Sequence, residues 1–167
     1  MLNRIKNYIW TQFDKAVDTI ENALEFCPFS ICNVTNSFSD FWYLAQRVIS
    51  LFDIYLTESP KNFIPFTKFG VPRFEKKIGI PDKVFSKEVS KSYVGHCGTK
   101  CKQTIENKKG TKASKKLKLS LIEMAFLEFV FHNVYHVQHH TAQLKFMLRR
   151  QANSAHRWVK NSKLNIC

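Results

Sequence analysis

The feature that most constrains the fold is the recurrence of apolar residues at intervals of three and four along four segments of the chain. This spacing places apolar side chains on one face of an α-helix, and such a face must be buried against another element. With only 5 Gly and 5 Pro in 167 residues, a turn-rich β protein is disfavoured. The pattern therefore predicts an all-α protein, a four-helix bundle that forms one domain over residues 1–167.

The periodicity also predicts the helix bounds and the inward faces. The predicted helices cover residues 3–26, a segment from a cap at Ser37 or Ser39 to about Leu56, a segment capped by Ser86 that continues to 107, and residues 117–151. The residues expected to face away from the core include Asp18 in the first helix and Val134 and Lys145 in the last. The residues expected to face it are Ile5, Ile9, Phe13, Ala16, Val17, Ile20, Ala23 and Leu24 in the first helix, Phe41, Leu44, Val48, Leu51, Phe52 and Tyr55 in the second, and Ile122, Ala125, Phe126, Phe129, Leu144 and Met147 in the last.

A long segment with four prolines, residues 58–84, separates the second predicted helix from the third. Connections of this length are uncommon in compact domains unless they are functional or are packed by their own side chains. Several large apolar residues lie between Phe63 and Phe74. We therefore expect an ordered crossover that lies on the bundle.

The formal net charge is +13, and the lysines are concentrated in residues 100–118. This run contains neither the aromatic residues that stack on single-stranded bases nor the arginines that read base edges. We expect a solvated loop, without specific nucleic-acid binding and with only charge-driven binding that fades as salt rises. The N-terminal segment is interrupted by charges, so it predicts neither a signal peptide nor a membrane span.

The five cysteines do not show the spacing of a zinc ribbon or a disulfide framework, which favours a reducing, cytoplasmic location. Cys97 and Cys101 are four residues apart and would share one helix face. Small buried apolar groups are the expected role for both.

Histidines are concentrated in the last predicted helix, in the stretch "HVQHH" at residues 136–140. His136 and His140 lie within about 40° of each other on the helix, so both are expected to point into the bundle. Such a pair can supply two imidazole ligands to one divalent metal, although a site for Zn²⁺ needs a third protein ligand. The alternative is a pair of core-edge histidines satisfied by hydrogen bonds. His132 and His139 are expected at the edge of the same stripe.

Three stretches, "FWYLAQRVISLFDIYL", "IPDKVFSKEVSKSYVGHCGTKC" and "HVQHHTAQLKFMLRRQ" followed by "RWV", resemble the DinB-like (DNA-damage-inducible) superfamily of four-helix bundles. The similarity covers about residues 5–160. That superfamily includes metal-dependent thiol transferases, in which one histidine of the second helix and a His-x-x-x-His pair of the last helix hold Zn²⁺ or Ni²⁺. The resemblance implies that His136 and His140 are two of these ligands, and that Gln143 lies in the family's "HH-x-x-Q-L" stretch.

The chain departs from the family pattern at the third ligand, because the histidine of the second helix is replaced by Arg47. A guanidinium stays protonated and offers no lone pair to a metal. If Arg47 projects into the site, the pocket around Arg47, His139 and Gln143 would suit an anionic group. Alternatively, Arg47 extends along the helix edge to solvent. The resemblance therefore predicts a vestigial or weak metal site with no tightly bound Zn or Ni cofactor.

Three functions remain open from the sequence: a degenerate DinB-like protein that binds a small molecule or is purely structural, an active metal-dependent thiol-transferase-like enzyme, and an acidic-partner or nucleic-acid binder. The second would need a third ligand from elsewhere, such as His96, His132 or His139. No catalytic residue is assigned by the sequence. A homodimer is expected because relatives often dimerise and because the crossover supplies apolar surface.

Overall fold

The computed structural model describes residues 2–32, 41–57, 63, 66, 85–107, 116–119 and 122–153. This part of the chain is all-α apart from one small hairpin. Its elements in chain order are α1 (Leu2–Glu25), α2 (Phe29–Cys32), α3 (Phe41–Tyr55), α4 (Lys87–Asn107), β1 (Lys116–Leu119), β2 (Ile122–Ala125) and α5 (Phe126–Ala152). Among these helices, none carries an apolar stretch of the length needed to cross a membrane.

The four long helices enclose one apolar core. Helix α1 packs against α4 and α5, and α3 packs against α5 and α4. The rings of Phe13 and Phe52 stack at the centre with their centroids 5.7 Å apart. Seven of the eight residues predicted to face inward from the first helix are buried, which confirms most of that face. In the second helix, Phe41, Val48 and Phe52 are buried, whereas Leu44, Leu51 and Tyr55 are only half-buried.

Helix α4 begins where its sequence predicts. The Ser86 Oγ accepts a hydrogen bond from the Val89 N–H at 3.3 Å, which is the bond expected of an N-cap. Cys97 and Cys101 lie on the buried face of this helix as free thiols, as predicted. Burial raises the pKa of both thiols, so neither is a ready nucleophile.

The predicted start of the last helix is wrong. Residues 116–119 pair antiparallel with residues 122–125, so that Lys116 lies opposite Ala125 and Leu119 opposite Ile122, and α5 begins only at Phe126. Lys and Leu alternate along β1, and this period of two favours a strand over a helix. Ile122 and Ala125 therefore belong to β2 and not to the predicted helical stripe.

Two predictions for α1 are also wrong. Ile5 is 36% exposed because it lies in the first turns of the helix, before the core begins at Ile9. Asp18 is only 6% exposed, since α1 is covered by both α4 and α5 and its buried face is wider than one stripe.

The crossover prediction for 58–84 lies mostly outside the described residues. Within it, Phe66 packs against the core and stacks on His96 with a centroid distance of 4.1 Å. Phe63 lies beneath the Lys100 ammonium at 5.7 Å. Of the lysine run, residues 100–107 are the last turns of α4, and residues 108–115 lie outside the described part.

The cysteine prediction needs one correction. Cys27 is disulfide-bonded, whereas the sequence pattern predicted no disulfide. Cysteine spacing alone is therefore a poor argument for a reducing compartment here.

Candidate functional site

The predicted site residues lie where α3 and α5 run side by side. The Tyr55 ring meets the His132 and His136 rings edge to face, each with a centroid distance of 5.4 Å. The Asn133 amide nitrogen donates a hydrogen bond to the Phe52 carbonyl oxygen at 3.3 Å. These contacts place the histidine-rich middle of α5 against the face of α3 that carries Tyr55.

The histidines form one continuous cluster along α5. The His136 and His140 rings are 4.5 Å apart between centroids, and the His139 and His140 rings are 5.0 Å apart. His139 itself is exposed and stacks on Tyr135. The predicted pair is thus brought together, with His139 on its outer side.

The sequence predicted that the His136–His140 pair points into the bundle. The structure instead places the pair at the edge of the buried face of α5. His136 and His140 are half-buried, whereas the positions of α5 with 0% exposure are Asn133, Val137, Leu144 and Leu148. Val134 and Lys145, which were predicted to face away, are 8% and 7% exposed. The physical reason is that α5 packs against α1 as well as α3, so its buried arc is centred about one residue away from the histidines.

His136 is held neutral by its surroundings. Burial lowers its pKa to about 4, and the charges of His140, His132, Arg47 and His139 act in the same direction. Its Nδ1 atom is buried and has no hydrogen-bond partner within the described part of the chain. A buried ring nitrogen without a partner is unusual and indicates a place where another polar group can bind.

The lowered pKa of His136 predicts acid sensitivity. The unfolded chain takes up a proton on this residue near its ordinary pKa of 6.5, while the folded chain does so only at about 4. Stability is therefore greatest above the unfolded value and falls as the pH drops through this window. After a discount for solvent screening, we expect a loss on the order of 1–2 kcal/mol, measured by urea unfolding at neutral and mildly acidic pH.

The control for this prediction is a pair of variants. His136→Gln should lose less stability than the unmodified protein over the same pH window, since it cannot take up the proton. His139→Gln removes an exposed imidazole from the same helix and should retain the full loss. Equal pH dependence in the unmodified protein and His136→Gln would contradict the prediction.

His140 is oriented by a neighbour on its own helix. Its Nδ1 lies 2.6 Å from the Gln143 Oε1, and because that oxygen is an acceptor, Nδ1–H donates. The other ring nitrogen, Nε2, then carries the lone pair. Burial lowers the pKa of His140, whereas the Gln143 hydrogen bond raises it. Gln143 thus fixes the tautomer of His140, a role that its place in the sequence motif does not reveal.

Arg47 lies beside the histidine pair. Its charge is among the causes that lower the pKa of His136 and of His140, and it also opposes the burial that raises the pKa of Tyr55. The Arg47 Nε is buried and has no hydrogen-bond partner among the residues that the structure describes. Arg47 therefore acts on the histidine pair through its charge.

Within the described residues, no group of three His, Cys, Asp or Glu side chains is arranged to hold a metal ion. His96, proposed as one alternative ligand, stacks on Phe66, and the other two alternatives, His132 and His139, contact tyrosine rings. A fixed positive charge at Arg47 also disfavours a divalent cation at this place.

A second polar cluster, between α3 and α4, was missed by the sequence analysis. The Asp53 side chain is 1% exposed and forms an ion pair with the Lys100 ammonium, with the nitrogen 2.5 Å from Oδ1. The Tyr93 hydroxyl donates to Asp53 Oδ2 at 2.8 Å, and Lys100 also donates to the Thr57 hydroxyl at 2.9 Å. Burial and the Asp53 charge raise the pKa of Tyr93 far above its usual value. These bonds satisfy a buried carboxylate and join the two helices, which is a structural role.

Comparisons of the chain with protein-family models, with curated proteins and with solved structures found no match. The function of the protein is therefore inferred from the geometry of the site and from the sequence motifs.

Proposed function

We propose that this protein is a DinB-like four-helix bundle whose inherited metal site has become a binding site for a small anionic molecule. The observation that carries the proposal is the presence of two unpartnered buried nitrogen atoms, Arg47 Nε on α3 and His136 Nδ1 on α5. Arg47 also acts electrostatically on both His136 and His140, which supports one shared site between α3 and α5.

The chemistry of these groups favours an oxyanion. Arginine supplies a permanent charge and several N–H donors that match a carboxylate or phosphate group. A neutral imidazole adds one donor when its Nδ1 is protonated, and the half-buried surroundings strengthen both bonds. Zn²⁺ or Ni²⁺ would lack a third imidazole and would be repelled by Arg47.

The alternative function is that of an active divalent-metal-dependent enzyme resembling the thiol transferases. The close approach of the His136 and His140 rings and the orienting bond from His140 to Gln143 favour it, since metal-bound histidines commonly donate their second nitrogen to such a partner. The ligand to complete this site would have to come from outside the described residues. With either function, we propose that the protein is located in the cytoplasm.

Binding of inorganic phosphate and of acetate tests the proposal. We expect either probe to raise the melting temperature of protein purified without a polyhistidine tag, because a ligand that binds only the folded state stabilises it. Arg47→Gln should abolish the shift. The matched control Arg4→Gln, which removes an exposed arginine from α1, should retain it.

Metal analysis of the same preparation separates the two functions. Metal well below one equivalent per chain together with an Arg47-dependent anion shift supports the anion site. Stoichiometric metal that is lost in His136→Ala and His140→Ala would contradict it and support the enzyme. An anion shift that is equal in Arg47→Gln and Arg4→Gln would assign the effect to the general positive charge of the chain.

A further inference from the structure

The outward face of α5 carries large apolar side chains. Phe131, Tyr135 and Phe146 are 57%, 67% and 59% exposed, although each is of a size that proteins normally bury. With Ala142, which is also exposed, they follow one line along the helix at successive intervals of four, seven and four residues. We call this line, from Glu128 to Arg149, the α5 stripe. It lies opposite the face that α5 buries in the core.

The α5 stripe is symmetric about its own midpoint, between Gln138 and His139. Phe131 and Phe146 are equally far from this point, and so are Tyr135 and Ala142. When such a helix is paired antiparallel with a copy of itself, each Phe131 meets the Phe146 of the other copy. Each Tyr135 then meets a small Ala142, which leaves room for its ring.

The charges at the two ends of the stripe follow the same symmetry. Glu128 lies in the first turn of α5, and Arg149 and Arg150 lie in its last turn. Glu128 and Arg149 are also equally far from the midpoint, so an antiparallel pair brings the acidic end of each copy to the basic end of the other. A parallel pair would instead place like charges together, which is unfavourable.

We propose that the α5 stripe is a homodimer interface, in which α5 packs antiparallel against α5 of a second copy of this chain. Self-complementarity of one patch is what a two-fold dimer requires. The stripe is ~30 Å long, so two helices would bury on the order of 1,000 Å² in total, at the lower end of specific interfaces. The net charge of +13 on each copy opposes association, and a weak, micromolar dimer is expected. The α5 stripe adjoins the histidine cluster, because Tyr135 stacks on His139.

Sedimentation of the full chain at physiological salt, from low to high micromolar concentration, tests the proposal. The unmodified protein should approach twice its mass of 19.6 kDa as the concentration rises. Phe131→Glu and Phe146→Glu should each raise the dissociation constant about tenfold or more, because each places two buried charges in the interface. The control Tyr8→Glu changes an aromatic residue that is 71% exposed on α1 and should leave dimerisation unchanged.

Charge reversal tests the antiparallel register. Glu128→Arg and Arg149→Glu should each weaken the dimer, and the double variant should recover it, since the pair is then reversed and not lost. Circular dichroism checks that each variant remains folded. A protein that stays monomeric at high micromolar concentration overturns the proposal. A dimer that is unaffected by Phe131→Glu, or a double variant weaker than either single one, overturns the interface or its register.

Discussion

Lys100→Met is expected to lower the free energy of unfolding by about 3–5 kcal/mol, because it leaves a charged carboxylate buried without its ion partner. Asp53 is 1% exposed, and the Lys100 ammonium is its ion partner and also bonds to Thr57. Methionine preserves most of the length of the lysine stem, so the effect reports the charge and not a cavity. Urea unfolding followed by circular dichroism measures the change.

The matched control is Lys102→Met, two residues further along α4. Lys102 is exposed and lies over the Trp10 ring at 5.7 Å, a contact that contributes on the order of 0.5–1 kcal/mol at an exposed site. The double variant Asp53→Asn with Lys100→Met removes both charges and should recover part of the loss. If Lys100→Met is as stable as Lys102→Met, the buried ion pair between Asp53 and Lys100 does not stabilise the fold, and the prediction is wrong.

The Asp53 cluster illustrates what the sequence could not predict. An aspartate within "LFDIYL" can face solvent or the core, and periodicity placed its neighbours Phe52 and Tyr55 inward without deciding this position. Its burial is stabilised by Tyr93 and Lys100, which are 40 and 47 residues away along the chain. The one available signal was an acidic residue inside an otherwise apolar helical segment.

The helices themselves were largely predictable, because apolar spacing and caps are local properties of the chain. Ser86 as the cap of α4 is an example. The orientation of α5 was not predictable from its own residues, since two helices cover it and shift the buried arc to include Val134 and Lys145.

The candidate site was found from the histidine spacing together with the family resemblance. Spacing identified His136 and His140, and the structure brings their rings to 4.5 Å. The unpartnered nitrogens of Arg47 and His136, on which the proposed anion site depends, become visible only when α3 and α5 are packed together. A sequence shows which groups are available, whereas the pairing of two helices decides which of them lack a partner.

Arg47→His is expected to raise the affinity for Zn²⁺ by at least about 100-fold, which corresponds to about 2.7 kcal/mol. The substitution removes a charge that opposes the metal and supplies the third imidazole that the family pattern places at this position. The repulsion between charges of +1 and +2 at 4 Å is about 8 kcal/mol with an effective dielectric constant near 20, which is an upper bound. Competition with a chromophoric chelator measures the affinity.

Two further variants separate the charge from the ligand. Arg47→Gln removes the positive charge and adds no imidazole, so it should raise the affinity for Zn²⁺ less than Arg47→His does. His136→Ala in the Arg47→His background should remove the gain, because a site with two imidazoles again lacks its third ligand. If neither Arg47→His nor Arg47→Gln binds Zn²⁺ better than the unmodified protein, residue 47 does not reach the histidine pair, and the inherited metal geometry is wrong. If both variants gain equally and strongly, repulsion by Arg47 is the whole obstacle, and a third ligand must already be present near His136 and His140.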